Sequence, residues 1–308
     1  MVFSQNASLG SARTFLDALD VSDIAAALQT PVSGPTAPGV SSSLVAQSSA
    51  SKSSSSSSTA ASTSTASTST PASTSTVANP ATIFGAASIY ESIEQSFAIP
   101  NGIVSFDQGV TADRKIAALS SMTLARMHAD SLYPAPAAPN YSTNWFATYI
   151  NTLINIGWVV EASSSGTNAP VGSSAEVSTA LLKIVEGFVG VDGAAGIQAA
   201  LSALTGAAQN SQLTLFQQSV GRVTYSEFSS ALATADPSGD FLLKCSNFNL
   251  SAKDVETSVL FFSWGASKAN IDWSNVNLTL DESIYNPVKY VVSQKIAPIL
   301  SQIQNLAV

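Results

Sequence analysis

The chain contains one cysteine, Cys245, and one histidine, His128. A thiol activated by an imidazole is the nucleophilic pair that this composition permits. His128 lies on the flank of an expected helix, where a structural or solvent-facing role explains it better. Cys245 shares one face of an expected strand with Phe241 and Leu243, and apolar surroundings raise the pKa of a thiol. The pattern favours a buried core cysteine, and a cryptic hydrolase using Cys245 and His128 is the less favoured hypothesis.

Other arrangements that carry chemistry are missing from the sequence, which has no P-loop, G-x-S-x-G, H-E-x-x-H or C-x-x-C motif. A single histidine and a single cysteine exclude a site that needs two imidazoles and an internal disulfide framework. Paired acids such as Asp281 and Glu282 fall on expected caps and surfaces, where solvation explains them better than glycosidic cleavage. Trp273, beside Ser274 and Asn275, is interpreted as a core residue, with sugar stacking as the alternative. We therefore predict no catalytic residues, no metal and no cofactor.

The elements that would position Cys245 are helices in the first half of the body and strands in the second. Apolar residues at helical spacing predict helices over 111–132, 142–157, 174–188, 195–207 and 288–303, the last broken by Pro298. Strands are predicted over 158–162, 223–228, 240–250, 255–264 and 271–280, with a bulge near Ser274. The turn chemistry of ADPSGD predicts a hairpin or short loop after Ala235. The fold class is therefore α+β, a single globular domain in which five to six helices cover an antiparallel sheet of about four strands.

The N-terminal part of the chain differs from this body in composition. Residues 31–80 are rich in Ser, Thr, Ala and Pro, and Lys52 is the only charged residue between Asp23 and Glu91. Such a segment cannot bury enough apolar surface to offset its ordering entropy, so we predict a disordered linker with a mean span of about 40 Å. Residues 1–30 form an amphipathic helical leader, and residues 81–308 form the globular domain. The leader is either a frayed terminus or a docking or export peptide; its apolar stripe consists of Phe15, Leu16, Leu19, Ile24 and Leu28.

Composition and charge narrow the class of partner. Of the 308 residues 45% are hydrophobic and 10% are charged, with a net charge of −8, whereas a soluble domain usually carries about 25% charged residues. The acidic balance excludes a nucleic-acid footprint and a polybasic lipid-binding surface. The sequence shows no secretion signal and no apolar run of about twenty residues. We therefore expect a protein that is cytoplasmic when made and that leaves the cell, if at all, without such a signal.

The order of the motifs resembles a known family. The motifs extend over roughly residues 113–296. In chain order they are DRKIAALSSMTLARMHAD, NWFATYINTLINIGWVVEA, a strand with one cysteine, VLFFSW and SIYNPVKYVVSQKI. This pattern resembles the Evf-like α/β family of bacterial and fungal proteins, which is linked to a virulence factor of Erwinia. The resemblance implies a fold without enzyme motifs and a fatty-acyl thioester at Cys245, connected with action at membranes. Phe241, Leu243 and Phe261 would line the acyl chain.

The leading hypothesis is a non-enzymatic, virulence-factor-like effector, fatty-acylated on Cys245 and acting at lipid or membrane, whose leader serves export, loading or docking. The alternative is a structural, self-assembling protein whose leader docks on a neighbouring subunit or shell.

Overall fold

A mixed sheet of eight strands forms the centre of the part of the chain that the computed structural model describes. The described residues are 7–20, 96–99, 102–133, 141–171, 174–207, 217–220, 223–253, 269–297, 299 and 304–306. They all belong to one unit made of residues 1–30 and 78–308. The α+β class predicted from the sequence is confirmed.

Four long strands make up most of the sheet, and four short ones extend it. They are β1 Ser96–Ile99, β2 Gly102–Phe106, β3 Trp158–Val171, β4 Gln217–Val220, β5 Val223–Ala235, β6 Phe241–Lys253, β7 Ala269–Leu280 and β8 Gln304–Leu306. The order is β3-β7-β6-β5-β2-β1-β8, with β4 paired to β5. The predicted four-stranded antiparallel sheet corresponds to β3-β7-β6-β5, and the parallel pairing of β2 with β5 joins it to the short strands.

Helices cover both faces of the sheet. They are α1 Leu9–Ala18, α2 Ala112–Leu132, α3 Tyr141–Asn155, α4 Ser174–Val189, α5 Val191–Ala207, α6 Glu282–Tyr285 and α7 Lys289–Ile296. On the first face, α1, α2, α3, α6 and α7 enclose the larger core, which contains Cys245. On the second face, α4 and α5 enclose a smaller core around Phe248. Alternating residues of β5, β6 and β7 therefore enter two different cores.

The turn between β5 and β6 forms as its residues predict. The backbone N–H of Asp236 donates to the carbonyl of Asp240 at 2.9 Å, and Gly239 has φ of 90°, which glycine adopts without steric cost. Hydrogen bonds from Ser238 hold the pKa of Asp236 below its ordinary value. This tight connection fixes the register that places Cys245 opposite Ala231.

Two features of the sheet differ from the sequence prediction. The strand expected over 158–162 continues to Val171 because β7 supplies a pairing partner along its length. The bulge expected near Ser274 is absent from the described β6–β7 ladder, where Asn247 pairs with Ser274 and the register runs unbroken. The irregularities lie instead in β3, the first between Val160 and Ala162. Polar cross-strand neighbours explain the regular ladder, because a pair such as Asn247 and Ser274 tolerates a break in the apolar alternation.

Some predicted segments lie outside the described residues. These are the linker over 31–80, the strand expected over 255–264 and the chain beyond Ile299 up to Ile303. The terminal helix ends at Ile296, just before Pro298.

Candidate functional site

Cys245 lies in the middle of β6 and faces the larger core. Its side chain is 3% exposed, and its cross-strand neighbours Ala231 and Val276 are 0% and 1% exposed. Burial raises the pKa of the Cys245 thiol, so the thiol stays protonated near neutral pH. A thiolate is the form that attacks an electrophile. In this environment Cys245 is a poor nucleophile.

The predicted lining residues Phe241 and Leu243 precede Cys245 on the same face of β6. Leu243 is fully buried, and Phe241 is 1% exposed. The ring of Phe241 packs against Trp158 with centroids 5.6 Å apart, and the guanidinium carbon of Arg114 lies 5.6 Å from the same ring. These three positions of β6 form one continuous apolar row. Phe261, the third predicted lining residue, lies outside the described residues.

Tyr149 lies near Cys245, and no feature of the sequence marks it as functional. Its side chain is 3% exposed, and its hydroxyl has no hydrogen-bond partner among the described residues. Desolvation raises the pKa of Tyr149 well above its ordinary value, with a smaller contribution from the nearby Cys245, and the charge of Arg126 opposes the rise. An unpartnered buried hydroxyl costs about 1–3 kcal/mol. The only signal available beforehand was a tyrosine on the core stripe of a helix, a position that requires a partner for the hydroxyl.

His128 is engaged on the side of α2 that meets α1 and α3. Its Nδ1 lies 2.8 Å from Oγ1 of Thr152, and that hydroxyl donates to the carbonyl of Thr148 at 2.8 Å. Since the Thr152 proton is already used, the network assigns the proton of the neutral imidazole to Nδ1. Desolvation lowers the pKa of His128. The hydrogen bond of His128 to Thr152 is structural, and no hydrogen bond joins His128 to Cys245 among the described residues.

The leader helix α1 packs on the body through its predicted stripe. Leu16 and Leu19 are 1% and 7% exposed, and the ring of Phe15 meets the His128 ring edge-on at a centroid distance of 5.5 Å. The Lys295 ammonium donates to the carbonyl of Leu19, the residue that ends the helix. A cation at the C-terminal end of a helix also stabilises its dipole. Ile24 and Leu28, the rest of the predicted stripe, lie outside the described residues.

The paired acids and the tryptophan considered for sugar chemistry make structural contacts. Asp281 caps α6 by accepting from the Ser283 backbone N–H at 2.9 Å, and Glu282 pairs with Arg114 at 2.9 Å. Trp273 packs against the backbone of Gly166, where an added Cβ would lie 2.7 Å from the indole ring.

The described residues contain no group of three or more His, Cys, Asp or Glu side chains that could hold a metal ion. Within the same residues, no helix combines the length and the apolar character needed to cross a membrane.

The comparisons with known proteins give distant likenesses. No protein-family model matches the chain, and no curated protein matches it. A delta-endotoxin structure has a TM-score of 0.40 at 14% identity and covers 59% of this chain and 81% of its own. The activated Cyt2Ba monomer from Bacillus thuringiensis subsp. israelensis has a TM-score of 0.36 at 10% identity, with coverage of 59% and 98%. The Evf virulence factor has a TM-score of 0.34 at 10% identity, with coverage of 64% and 84%. By their names, these structures are of toxins and a virulence factor.

Proposed function

We propose that the protein is a toxin-like effector that acts without catalysis and carries a fatty acyl chain as a thioester on Cys245. The observation that carries this proposal is the apolar row of Cys245, Leu243 and Phe241 at the centre of the larger core. A thioester at this position would be shielded from water and therefore from hydrolysis. Burial of the chain would add about 0.8 kcal/mol per methylene group.

The proposal that the protein acts without catalysis is supported by the surroundings of Cys245 and His128, the two residues that could act as nucleophile and base. The pKa of the Cys245 thiol is raised by burial, and the Nδ1 proton of His128 is used in the bond to Thr152. A cysteine hydrolase needs the opposite arrangement, an accessible thiolate in contact with a base. A covalent lipid removes this difficulty because a thioester has no thiol proton to lose.

Acylation requires an acyl donor of the thioester class, such as an acyl carrier thiol. The S–H bond of Cys245 breaks and its sulfur forms a bond to the acyl carbon, while the donor's S–C bond breaks and the proton passes to the donor's sulfur. Because the described thiol is 3% exposed, we expect this transfer to precede closure of the helical layer over β6.

Intact mass spectrometry of protein purified from its natural source tests the acylation. We expect a mass increase equal to one fatty acyl chain, lost when the denatured protein is treated with neutral hydroxylamine and absent from a Cys245→Ser variant expressed in the same host. An unmodified mass in source material would exclude the lipid, and a chain that resists hydroxylamine in the denatured protein would exclude the thioester.

The second candidate is self-assembly through the leader. The packing of α1 against α3 and α6 favours a docking role for the leader, and a second copy or an export partner could supply the same kind of groove. Size-exclusion chromatography of the full chain and of the Leu16→Ala variant distinguishes self-assembly through the leader from docking of the leader on its own chain. A monomer at every concentration in both proteins would remove the assembly hypothesis.

A further inference from the structure

A cleft lies on the second face of the sheet, away from Cys245. It forms where the ends of β1 and β2 meet the first half of α5, and its volume is 230 Å³. Ser105 pairs in register with Leu232, and Leu232 belongs to the smaller core. The cleft is thus separated from the acylation candidate by the thickness of the sheet. Its polar lining comes from Ser96, Ser105, Asp107, Gln108 and Asp192, and Gly193 and Gly196 line it with backbone.

The hydroxyls of Ser96 and Ser105 bond to each other and leave one hydroxyl proton without an acceptor. Ser96 and Ser105 are 1% and 2% exposed, and their hydroxyl oxygens are 3.0 Å apart. Each hydroxyl has one proton to donate, and the bond between the two oxygens consumes one of them. Among the described residues neither hydroxyl has a further partner. The pair therefore presents a buried donor to an acceptor inside the cleft.

On the α5 wall of the cleft, two glycines, Gly193 and Gly196, lie between Asp192 and Ala199. Gly193 is explained by packing, because an added Cβ would lie 2.5 Å from the Leu232 side chain. Gly196 has no such reason, since no atom of another part of the described chain lies within 4 Å of the position its Cβ would take. A glycine inside a helix is less favourable than an alanine. Gly196 leaves an open, flat surface against which the carbon atoms of an occupant can pack.

The charges at the cleft are acidic. Asp107 and Asp192 both line it, and no lysine, arginine or histidine is among its described lining residues. Asp107 is positioned by its backbone N–H, which donates to the carbonyl of Ala233 at 3.0 Å. Both side chains are exposed at the mouth of the cleft, where two carboxylates attract a cationic group.

We infer that the cleft binds a small amine that also carries an oxygen acceptor, the chemistry of an amino sugar or an amino alcohol. The ammonium group lies at Asp107 and Asp192, an oxygen of the ligand accepts from the Ser96–Ser105 pair, and the carbon skeleton packs on Gly196. The volume suits this size, since it equals that of roughly eight water molecules at about 30 Å³ each and is smaller than the ~300–1,000 Å³ of pockets for drug-sized ligands. The inference is independent of acylation at Cys245.

Isothermal titration calorimetry on the full chain tests the inference with glucosamine and ethanolamine as probes and glucose as the probe without an amine. We expect at least one amine to bind, and glucose to bind about tenfold more weakly or not at all. Asp192→Asn should weaken amine binding about tenfold, and Gly196→Leu, which fills the cleft, should abolish it. Asp17→Asn, an exposed acid on α1, and Gly187→Leu, an open position on α4, are the matched controls and should bind as the unaltered chain does.

Two further readouts complete the test. Thermal unfolding verifies that each variant is folded, and sedimentation with vesicles of phosphatidylcholine, with or without phosphatidylethanolamine, identifies the source of the amine. Sedimentation that requires phosphatidylethanolamine and is lost in Gly196→Leu assigns a lipid headgroup; binding of free amine without sedimentation assigns a soluble ligand. The inference is overturned if neither the amines nor the vesicles bind, if glucose binds as well as glucosamine, or if folded Gly196→Leu binds as the unaltered chain does.

Discussion

Leu16 is the most deeply buried large side chain of the leader helix in its contact with the body. Shortening this side chain to alanine gives the sharpest prediction. Leu16 is 1% exposed, and Leu→Ala at such a position costs about 2–5 kcal/mol. Because α1 and the next described element, β1, are far apart in the sequence, we expect this cost to fall on the local docking equilibrium. Even the lower figure shifts the docked-to-undocked ratio about 30-fold. In Leu16→Ala the amide protons of α1 should therefore exchange at least about 30-fold faster, while those of α2 and α3 keep their protection.

The histidine provides a second readout of the same event. The chain has one histidine, so its imidazole resonances are unambiguous, and the ring lies 5.5 Å from Phe15. When α1 leaves, His128 gains solvent and its pKa should rise toward the ordinary value of 6.5. Arg13→Ala, an exposed change on the same helix, should leave both readouts unaltered. The reasoning is refuted if α1 exchange is unchanged in Leu16→Ala, or if α1 and α2 lose protection together, because docking would then not be a separate local equilibrium.

Three further predictions follow from buried groups. Desolvation lowers the folded-state pKa of His128, so the contribution of His128 to stability is complete above the unfolded value of about 6.5 and is lost as the pH falls through that value. In urea titrations between about pH 8 and pH 5, the free energy of unfolding should therefore fall less for His128→Gln than for the unaltered chain, and an equal fall would contradict this. Unmodified Cys245 should react with a thiol reagent at the rate of global unfolding, and rapid reaction of the folded protein would show that the thiol is reachable. Gly102→Ala should destabilise by about 1–3 kcal/mol, because its Cβ would lie 2.7 Å from the carbonyl oxygen of Ser229, whereas Gly187→Ala, with open space around it, should stabilise by up to about 1 kcal/mol; thermal melts that rank the two variants in the opposite order would refute the packing argument.

Local patterns predict the elements whose determinants are close together in the sequence. The ADPSGD turn contains its own hydrogen-bonding partners, so the β5–β6 hairpin could be foreseen. The apolar alternation at Phe241, Leu243 and Cys245 likewise identifies the face of β6 that enters the core. For the leader, the spacing of Leu16 and Leu19 indicates the buried stripe before any partner is known.

The parts that could not be predicted depend on distant partners. The polar second half of β3 has the composition of a loop, and its pairing is supported by contacts such as that of Thr167 with Asp272, 105 residues away. The parallel joining of β2 to β5 also lacks a local signal. At the candidate site, nothing in a single sequence places Tyr149 next to Cys245, because the two residues come from different layers. The cleft depends on a helix and two strands that meet only in the folded chain.

The contact between the leader and α7 has a consequence for the time at which the leader is accessible. The hydrogen bond of Lys295 to the carbonyl of Leu19 spans 276 positions of the sequence. During synthesis at about 5–20 residues per second, the leader emerges roughly 15–55 s before Lys295 exists to hold it. A factor that recognises the free leader therefore meets no competition from α7 during that interval, and after release of the chain it competes with an intramolecular partner. Such a factor would therefore bind the leader most readily during translation, because the leader is synthesised before Lys295.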